Sequence, residues 1–415
     1  MAGIYTKRWR VTDAGMFTNR LVLHFPETVK AADLAPEKFS VYTERRSPAT
    51  GQVLMEKGFR ETKAHPARGY VPVLAAWPMG KNGNPVTASQ RVALDLEYGF
   101  FDRTTSPFSM VGHGQVLVDQ YFRVTQVAPI GGLAGLTFDR CVGLDAPQLA
   151  GWKNGVSSYK PLPLGYGEWT PPDVSTPRPL VIWLHGAGEG GTDPTISYVG
   201  NLVTNLSEPA IQRQLGGAYL LAPQSPTMWM DNGSGQYTRT GKSMYCQALK
   251  ALIDEFVATR NVDKRRIYLG GCSNGGFMTV RMAIDYPGFF AALYPCCEAL
   301  YDETITDEQI AELAKTPIWF VHARNDTTVP PAETAVPTYK RLMAARAKNC
   351  HFFFPENVHL EHTEARSDGG AMDFMGHFSW TYIHHDLVDR DFDGSPVLVR
   401  GRKAGLFRWL AAQKL

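Results

Sequence analysis

Two hydrophobic patterns divide the chain near residue 140. Before that point, apolar and polar residues alternate in short runs such as residues 20–24 (RLVLH) and 121–127 (YFRVTQV). Turn-forming residues such as KNGNP at 81–85 separate these runs. Successive side chains of a strand point to opposite faces of a sheet, so a period of two predicts half-buried strands. We expect residues 1–138 to form a small all-β sandwich.

After residue 140 the apolar runs become nearly continuous, as in residues 180–184 (LVIWL) and 317–322 (PIWFVH). Such runs are typical of strands buried on both faces of a parallel sheet. Amphipathic stretches lie between the runs, for example residues 243–260 and 277–286. This alternation predicts an α/β domain over residues 139–415, with functional loops at the carboxyl ends of its strands.

Composition narrows the classes of function. The 415 residues include 42 Lys and Arg against 40 Asp and Glu, a formal net charge of +2. This balance argues against a nucleic-acid binder, which needs a marked basic excess. No apolar run approaches the roughly 20 residues of a membrane-spanning helix. The first residues do not resemble a signal peptide, so we expect a cytoplasmic protein, or a secreted one if a leader has been removed.

The motif with the clearest chemistry is GCSNG at residues 271–275, which fits G-x-S-x-G. It lies between an apolar run and a predicted helix, the context in which this motif marks a nucleophilic serine. Glycines two residues before and after Ser273 permit a tight turn that holds the hydroxyl above the sheet. The backbone N–H of Asn274, at the start of the helix, could stabilise an oxyanion.

A serine hydroxyl needs a base to become a nucleophile, and the base needs an orienting acid. Asp326 follows the apolar run at 317–322 and is the predicted acid, with Asp373 as the alternative. His377, between Gly376 and an aromatic stretch, is the predicted base. His359 is its main competitor, because a histidine of this kind often follows the last strand closely.

A second oxyanion donor should come from the glycine-rich loop HGAGEGG at 185–191, which follows the run at 180–184. We predict the N–H of Ala187, with Gly188 second and also close to substrate. The loop fits G-x-G-x-x-G formally, but the residues after it do not predict the helix of a nucleotide site.

Two further residues are predicted to contact substrate because they follow strands of the same sheet. Trp229 could line the acyl or leaving-group pocket or be part of the core. Glu298 could touch substrate or orient a loop. The acidic stretch at 389–394 lacks the glutamate of a calcium loop, since that position is Arg400. We expect no metal and no organic cofactor.

Together, HGAGEGG, GCSNGG, ARNDTTVPP and MGHFSW resemble the α/β-hydrolase superfamily. They are most similar to bacterial esterases with an N-terminal immunoglobulin-like domain, near the polyhydroxybutyrate-depolymerase and prolyl-oligopeptidase-like branch. The phrase PEKFSV at 36–41 resembles such immunoglobulin-like domains. The resemblance implies Ser273 as nucleophile, Asp326 as acid and His377 as base. It also implies Ala187 and Asn274 as oxyanion donors.

The sequence therefore predicts a two-domain serine hydrolase that cleaves small or polymeric carboxylic esters, a carboxylesterase. One alternative is a peptidase, an amidase or a polyester depolymerase of the same fold. Another, from a different class, is a non-catalytic binding protein built on a hydrolase scaffold. Matched ester and anilide substrates would separate esterase from amidase, and a fluorophosphonate probe would test the non-catalytic alternative.

Overall fold

A computed structural model describes residues 3–57, 62–100, 104–111 and 114–415 of the chain. The chain separates into two compact units. Unit 1 comprises Met1–Ser109, Val116–Ala150 and His362–Gly370, and unit 2 comprises Met110–Gln115, Gly151–Glu361 and Ala371–Leu415. The boundary expected between residues 138 and 139 falls within a strand that unit 1 keeps whole.

The N-terminal part of the chain is built from strands. Within the described residues, eight of them form one sheet in the order β6-β3-β11-β12-β1-β2-β8-β7. The strands are β1 (Gly3–Thr12), β2 (Gly15–Lys30), β3 (Phe39–Arg46), β4 (Met55–Glu56), β5 (His65–Pro66), β6 (Arg68–Val71), β7 (Val73–Pro78), β8 (Ala88–Leu96), β9 (Phe108–Val111), β10 (Gly114–Leu117), β11 (Asp119–Gln126) and β12 (Thr137–Asp145).

The period-two pattern has the predicted consequence for burial. Along β3, each buried residue is followed by a half-buried one, and Phe39 and Val41 lie in the core with Leu21, Leu23 and Phe122. The strand-rich character of this region is confirmed. The immunoglobulin-like sandwich is not confirmed, because β1 pairs in parallel with β12 and so joins all eight strands into one continuous sheet.

Unit 1 also contains a segment from far along the chain. The Thr363 hydroxyl donates to the buried Asp13 carboxylate at 2.7 Å, and Arg10 Nε donates to Glu364 at 2.7 Å. These side-chain bonds attach residues 362–370 to the first hairpin, although unit 2 surrounds them in sequence.

Unit 2 alternates strands and helices, as the apolar runs predicted. None of the helices formed by the described residues is both long and apolar enough to cross a membrane. The strands are β13 (Trp152–Val156), β14 (Gly165–Trp169), β15 (Arg178–Leu184), β16 (Tyr219–Gln224), β17 (Val262–Cys272), β18 (Ala292–Cys296), β19 (Ile318–Val321), β20 (Cys350–Phe353), β21 (Val358–Leu360), β22 (Met372–Phe374), β23 (Leu398–Val399) and β24 (Arg402–Lys403). The helices are α1 (Ile196–Val199), α2 (Pro209–Leu215), α3 (Cys246–Thr259), α4 (Asn274–Asp285), α5 (Asp307–Leu313), α6 (Ala335–Ala344), α7 (Trp380–His384) and α8 (Leu406–Ala412).

The central sheet of unit 2 determines where its loops meet. In the stretch 151–415, eight strands are ordered β13-β14-β16-β15-β17-β18-β19-β20. From β16 to β20 every neighbouring pair is parallel, while β14 runs antiparallel to β13 and β16. Every residue of β16, β18 and β19 is buried. The carboxyl ends of β15, β17, β18 and β19 therefore lie side by side at one edge, and the loops that leave them can form a common site.

Candidate active site

Ser273 occupies the turn between β17 and α4. Its φ of 56° and ψ of −113° lie outside the common regions for a residue with a side chain, which indicates a strained turn. The turn is held because Ser273 N–H donates to the carbonyl of Cys296 at 2.9 Å. A Cβ at Gly271 or Gly275 would lie 2.5 Å or 2.0 Å from the carbonyl oxygen of Leu184, so only glycine fits at either position.

Asp326 lies in the loop that follows β19, and its carboxylate is fully buried. Its Oδ1 accepts from the N–H groups of Thr328 (2.8 Å) and Val329 (3.0 Å). Its Oδ2 contacts His377 Nδ1 at 2.8 Å and His322 Nε2 at 3.0 Å. Burial alone would raise the pKa of Asp326, but the hydrogen bonds from the two histidines outweigh it and hold the pKa below its ordinary value. The acid is therefore ionised at neutral pH.

His377 belongs to the short 3-10 turn Gly376–Phe378 that precedes α7. A Cβ on Gly376 would lie 2.3 Å from the side-chain oxygen of Asn325, so a glycine here lets the turn approach the Asp326 loop. The Trp380 ring packs edge-on against the imidazole, with centroids 5.7 Å apart. Since Nδ1 donates to Asp326, Nε2 is the nitrogen left to take a proton. The side chain is 12% exposed, whereas Asp326 is fully covered.

The loop after β15 is ordered by a buried histidine. Ser225 N–H donates to Nε2 of His185 at 3.0 Å, so the ring proton is on Nδ1, which donates to the carbonyl of Gly186 at 2.5 Å. Burial lowers the pKa of His185 to about 4, so the ring stays neutral at neutral pH. The next residues form the 3-10 turn Ala187–Glu189. The hydrogen bonds of the His185 ring fix the backbone at Gly186, where this turn begins.

These groups meet at one cavity of about 440 Å³. Ser273, His377 and the three residues Ala187, Gly188 and Asn274 all line it, while Asp326 lies behind His377. The structure thus brings together the predicted nucleophile, base, acid and oxyanion donors. The lining residues are Gly186, Ala187, Gly188, Glu189, Asn201, Met230, Tyr237, Thr238, Arg239, Cys272, Ser273, Asn274, Ala299, Tyr301, Thr328, Val329, His377 and Trp380.

Comparisons with known proteins agree with the fold of unit 2. Residues 172–368 match the phospholipase/carboxylesterase family. A crystal structure of a thermostable esterase superposes with a TM-score of 0.73, covering 99% of this chain and 100% of that one at 20% sequence identity. Unit 2 has the α/β-hydrolase fold. This confirms the α/β-hydrolase part of the resemblance drawn from the four motifs, but not its immunoglobulin-like part.

Two curated relatives match only part of the chain. Feruloyl esterase B of Neurospora crassa is 31% identical over 165 residues, which are 39% of this chain and 51% of that protein. Poly(3-hydroxybutyrate) depolymerase of Ralstonia pickettii is 28% identical over 137 residues, 31% of this chain and 28% of that protein. The chain therefore spans about half the length, or less, of these relatives.

Two predicted substrate contacts of the α/β-hydrolase unit are not at the cavity. Trp229 is fully buried and packs against His185 and Tyr245, so it is part of the core. Its neighbour Met230 lines the cavity instead. Glu298 is 1% exposed and accepts from Leu300 N–H at 2.7 Å, beneath the cavity wall formed by Ala299 and Tyr301. Each side chain is covered, so neither can touch substrate in this conformation.

The alternative acid and base pair with each other. His359 on β21 and Asp373 on β22 face across a short hairpin, with Nδ1 2.8 Å from Oδ1. Both side chains are substantially exposed, and the hydrogen bond that the imidazole donates to Asp373 raises the pKa of His359. Neither lines the cavity with Ser273. In this pair the histidine precedes the acid along the chain, which reverses the order of Asp326 and His377.

Sequence reasoning missed His322, which stands directly after β19 and four residues before Asp326. Its Nε2 lies 3.0 Å from Asp326 Oδ2 and 3.0 Å from the carbonyl oxygen of Val329. Both neighbours are acceptors, so Nε2 carries a proton and donates to them. The four-residue spacing of His322 and Asp326 is visible in the sequence, but His322 was interpreted only as the last residue of the apolar run at 317–322.

Only one group of metal-type ligands occurs among the described residues, and it coincides with the candidate catalytic groups. Cys297, Asp326 and His377 each place one ligand atom within 4.8 Å of the others. Metal binding by a cysteine requires the thiolate. Burial raises the pKa of the Cys297 thiol well above its ordinary value, which opposes that form. The hydrogen bond between Asp326 and His377 therefore favours the role of an acid and base pair over that of metal ligands.

Proposed function

We propose that this protein is a serine hydrolase that cleaves carboxylic esters through an acyl-enzyme on Ser273. The observation that carries the proposal is the buried Asp326–His377 hydrogen bond beside a strained serine in one cavity. The proposal also rests on the match to the phospholipase/carboxylesterase family and on the similarity to a feruloyl esterase.

In the proposed reaction, Ser273 Oγ attacks the ester carbonyl while His377 Nε2 takes its proton. The tetrahedral oxyanion accepts hydrogen bonds from the N–H groups of Ala187 and Asn274, two residues that line the cavity with Ser273. His377 then returns the proton to the departing alcohol. Water, deprotonated by His377, then attacks the acyl-enzyme. The bond from the acyl carbon to Ser273 Oγ breaks, His377 returns the proton to that oxygen, and the carboxylic acid is released. Ionised Asp326 stabilises the imidazolium that forms in each half-reaction.

The proposed substrates are small or polymeric esters. Similarity to a feruloyl esterase and to a poly(3-hydroxybutyrate) depolymerase supports this breadth, and the cavity of about 440 Å³ suits a compact acid or alcohol. Matched ester and anilide substrates separate this proposal from an amidase of the same fold. For unit 1 we propose an immunoglobulin-like module, supported by its strand-rich structure and by the phrase PEKFSV.

The test of the function is Ser273→Ala. We expect kcat for 4-nitrophenyl butanoate to fall by about 10³-fold or more, because removing the nucleophile removes the acyl-enzyme route. A fluorophosphonate probe should label the wild type and not the variant. Ser175→Ala, at an exposed serine, is the matched control and should behave as the wild type. Wild-type rates in Ser273→Ala, with the same melting curve, would exclude this nucleophile.

A further inference from the structure

One wall of the cavity is formed by a segment that the proposed reaction does not use, residues 231–243. The buried Asp231 carboxylate accepts from the N–H groups of Gly233 (2.8 Å) and Gly235 (2.9 Å) and from the hydroxyl of Thr227 (2.8 Å). At the far end of the segment, Met244 N–H donates to the Asp231 carbonyl at 2.8 Å. Asp231, at the start of the segment, is thus bonded to Met244, directly after its end, and the segment forms a closed loop.

This closed loop presents Tyr237, Thr238 and Arg239 to the cavity. The Thr238 hydroxyl donates to the Met230 carbonyl at 2.9 Å, which fixes the middle of the loop to another lining residue. The backbone at Arg239 is therefore constrained by the Thr238 bond before it and by the Met244 bond after it.

Arg239 is the only lysine or arginine among the described residues that line the cavity. Its guanidinium carbon lies 4.1 Å from the centroid of the Tyr301 ring, which holds the planar head against the wall. Its other partner is Glu333, at 3.5 Å, with the two side chains 65% and 52% exposed. An ion pair this long and this exposed is weak, so a substrate carboxylate can compete for the guanidinium.

The remaining lining residues include one acid and several apolar side chains. The acid, Glu189, belongs to the turn that carries the proposed oxyanion donor Ala187. Apolar atoms of Met230, Val329 and Trp380 cover the walls. A substrate with an apolar body and one negative group is therefore best accommodated with that group toward Arg239.

We propose that the site prefers esters that carry a carboxylate away from the scissile bond, and that Arg239 is the residue that selects them. This inference rests on the proposed ester hydrolysis and names its substrate class. The carboxylate could belong to the acyl part, as in a hemiester of a dicarboxylic acid, or to the alcohol part. The chemistry of recognition is the same: a guanidinium binds a carboxylate through paired N–H donors.

Two matched substrate pairs test the inference and distinguish the acyl from the alcohol source. The acyl pair is 4-nitrophenyl hydrogen adipate and 4-nitrophenyl hexanoate. The alcohol pair is 4-(butanoyloxy)benzoate and 4-(butanoyloxy)benzamide. For the charged member of at least one pair, we expect Arg239→Met to lower kcat/KM about tenfold, mainly through KM, and to leave the neutral member within about twofold. Glu333→Gln removes the competing carboxylate and should raise kcat/KM for the charged ester about twofold.

Two outcomes would overturn the inference while leaving the proposed function intact. One is hydrolysis of both members of each pair with no charge preference, and the other is an equal loss on both members in Arg239→Met. Binding of monomethyl adipate and of 4-(butanoyloxy)benzoate to the Ser273→Ala variant gives a readout without turnover for each source of the carboxylate. We expect about tenfold weaker binding of at least one of these two esters once Arg239→Met is added, and unchanged binding of both would contradict the inference. Retained activity in Ser273→Ala would instead contradict the proposed function.

Discussion

Two buried carboxylates follow neighbouring strands of the unit 2 sheet and have opposite protonation states. Asp326, after β19, accepts four hydrogen bonds, two from backbone N–H groups and two from histidines. Glu298, after β18, accepts one from Leu300, and its Oε1 has no partner among the described residues. Burial raises the pKa of Glu298 to about 8, whereas the donors around Asp326 hold the pKa of that carboxyl below its ordinary value.

The difference shows that burial alone does not determine the charge of an acid in this sheet. Both side chains lose their contact with water, which favours the neutral form. The number of hydrogen-bond donors decides which protonation state is stable. Four donors replace the lost water around Asp326, whereas only one does so at Glu298. The loop after β19 therefore holds a fixed negative charge behind His377, and the loop after β18 holds a neutral group beneath the cavity wall.

The strongest test of this comparison removes the negative charge of Asp326, the buried acid that accepts four hydrogen bonds. Asp326→Asn keeps the shape of the side chain but gives it a neutral oxygen and an NH₂ group. We expect kcat to fall about 10³- to 10⁴-fold, because the amide cannot stabilise the imidazolium and favours the wrong tautomer of His377. Steady-state kinetics on 4-nitrophenyl butanoate measure the effect. A loss of less than tenfold would mean that the negative charge is not needed.

A smaller effect is expected when one of the donors to Asp326 is removed. His322→Phe deletes the N–H that donates to Oδ2, so Asp326 loses part of the solvation that keeps it ionised and oriented. We expect kcat to fall about tenfold with little change in KM, since groups that orient a catalytic side chain typically contribute about ten- to a hundredfold.

His322→Gln provides the matched control, because its amide N–H can still donate to Asp326. Recovery of most of the kcat in the Gln variant, at equal thermal stability, separates positioning of the acid from simple packing. If the Phe and Gln variants lose the same activity, His322 contributes only volume to the core.

The sequence was most informative where chemistry follows from local chain geometry. Ser273 was predicted because a strand, a glycine-flanked turn and a helix follow one another directly in the chain. The geometry of such a turn depends only on neighbouring residues, which the sequence shows. Asp326 and His377 were predicted from their order and from positions at the carboxyl edge, which a parallel sheet imposes. The structure places both beside the cavity with Ser273.

The residues that sequence reasoning missed depend on long-range folding. Arg239 reaches the cavity because Asp231 closes an irregular loop, and such a loop has no hydrophobic periodicity to reveal it. Trp229 and Met230 are adjacent, and only the packing of the Trp229 ring on Tyr245 decides which one faces the cavity. The recruitment of residues 362–370 into unit 1 likewise follows from contacts hundreds of positions apart, such as Thr363 with Asp13.

The smallest expected effect on activity comes from changing Glu298, the buried acid with a single hydrogen-bond donor. Glu298 is protonated in the folded state up to about pH 8, whereas an unfolded glutamic acid ionises near 4.5. The folded state therefore binds the extra proton, and the stability that this proton contributes is fully present below pH 4.5 and is lost as the pH rises to about 8. Within this window, the free energy of unfolding should fall by up to about 1.4 kcal/mol per pH unit relative to a variant without the acid.

Glu298→Gln is that variant, because an amide oxygen can still accept from Leu300 N–H and has no proton to lose. Urea unfolding between pH 5 and 8 should show a shallower dependence on pH than the wild type, while Glu312→Gln, at an exposed acid, should follow the wild-type curve. Activity should change less than twofold, because Glu298 lies behind the cavity wall. Parallel wild-type and Glu298→Gln curves would show that the carboxyl is already ionised, and that its single donor suffices where Asp326 uses four.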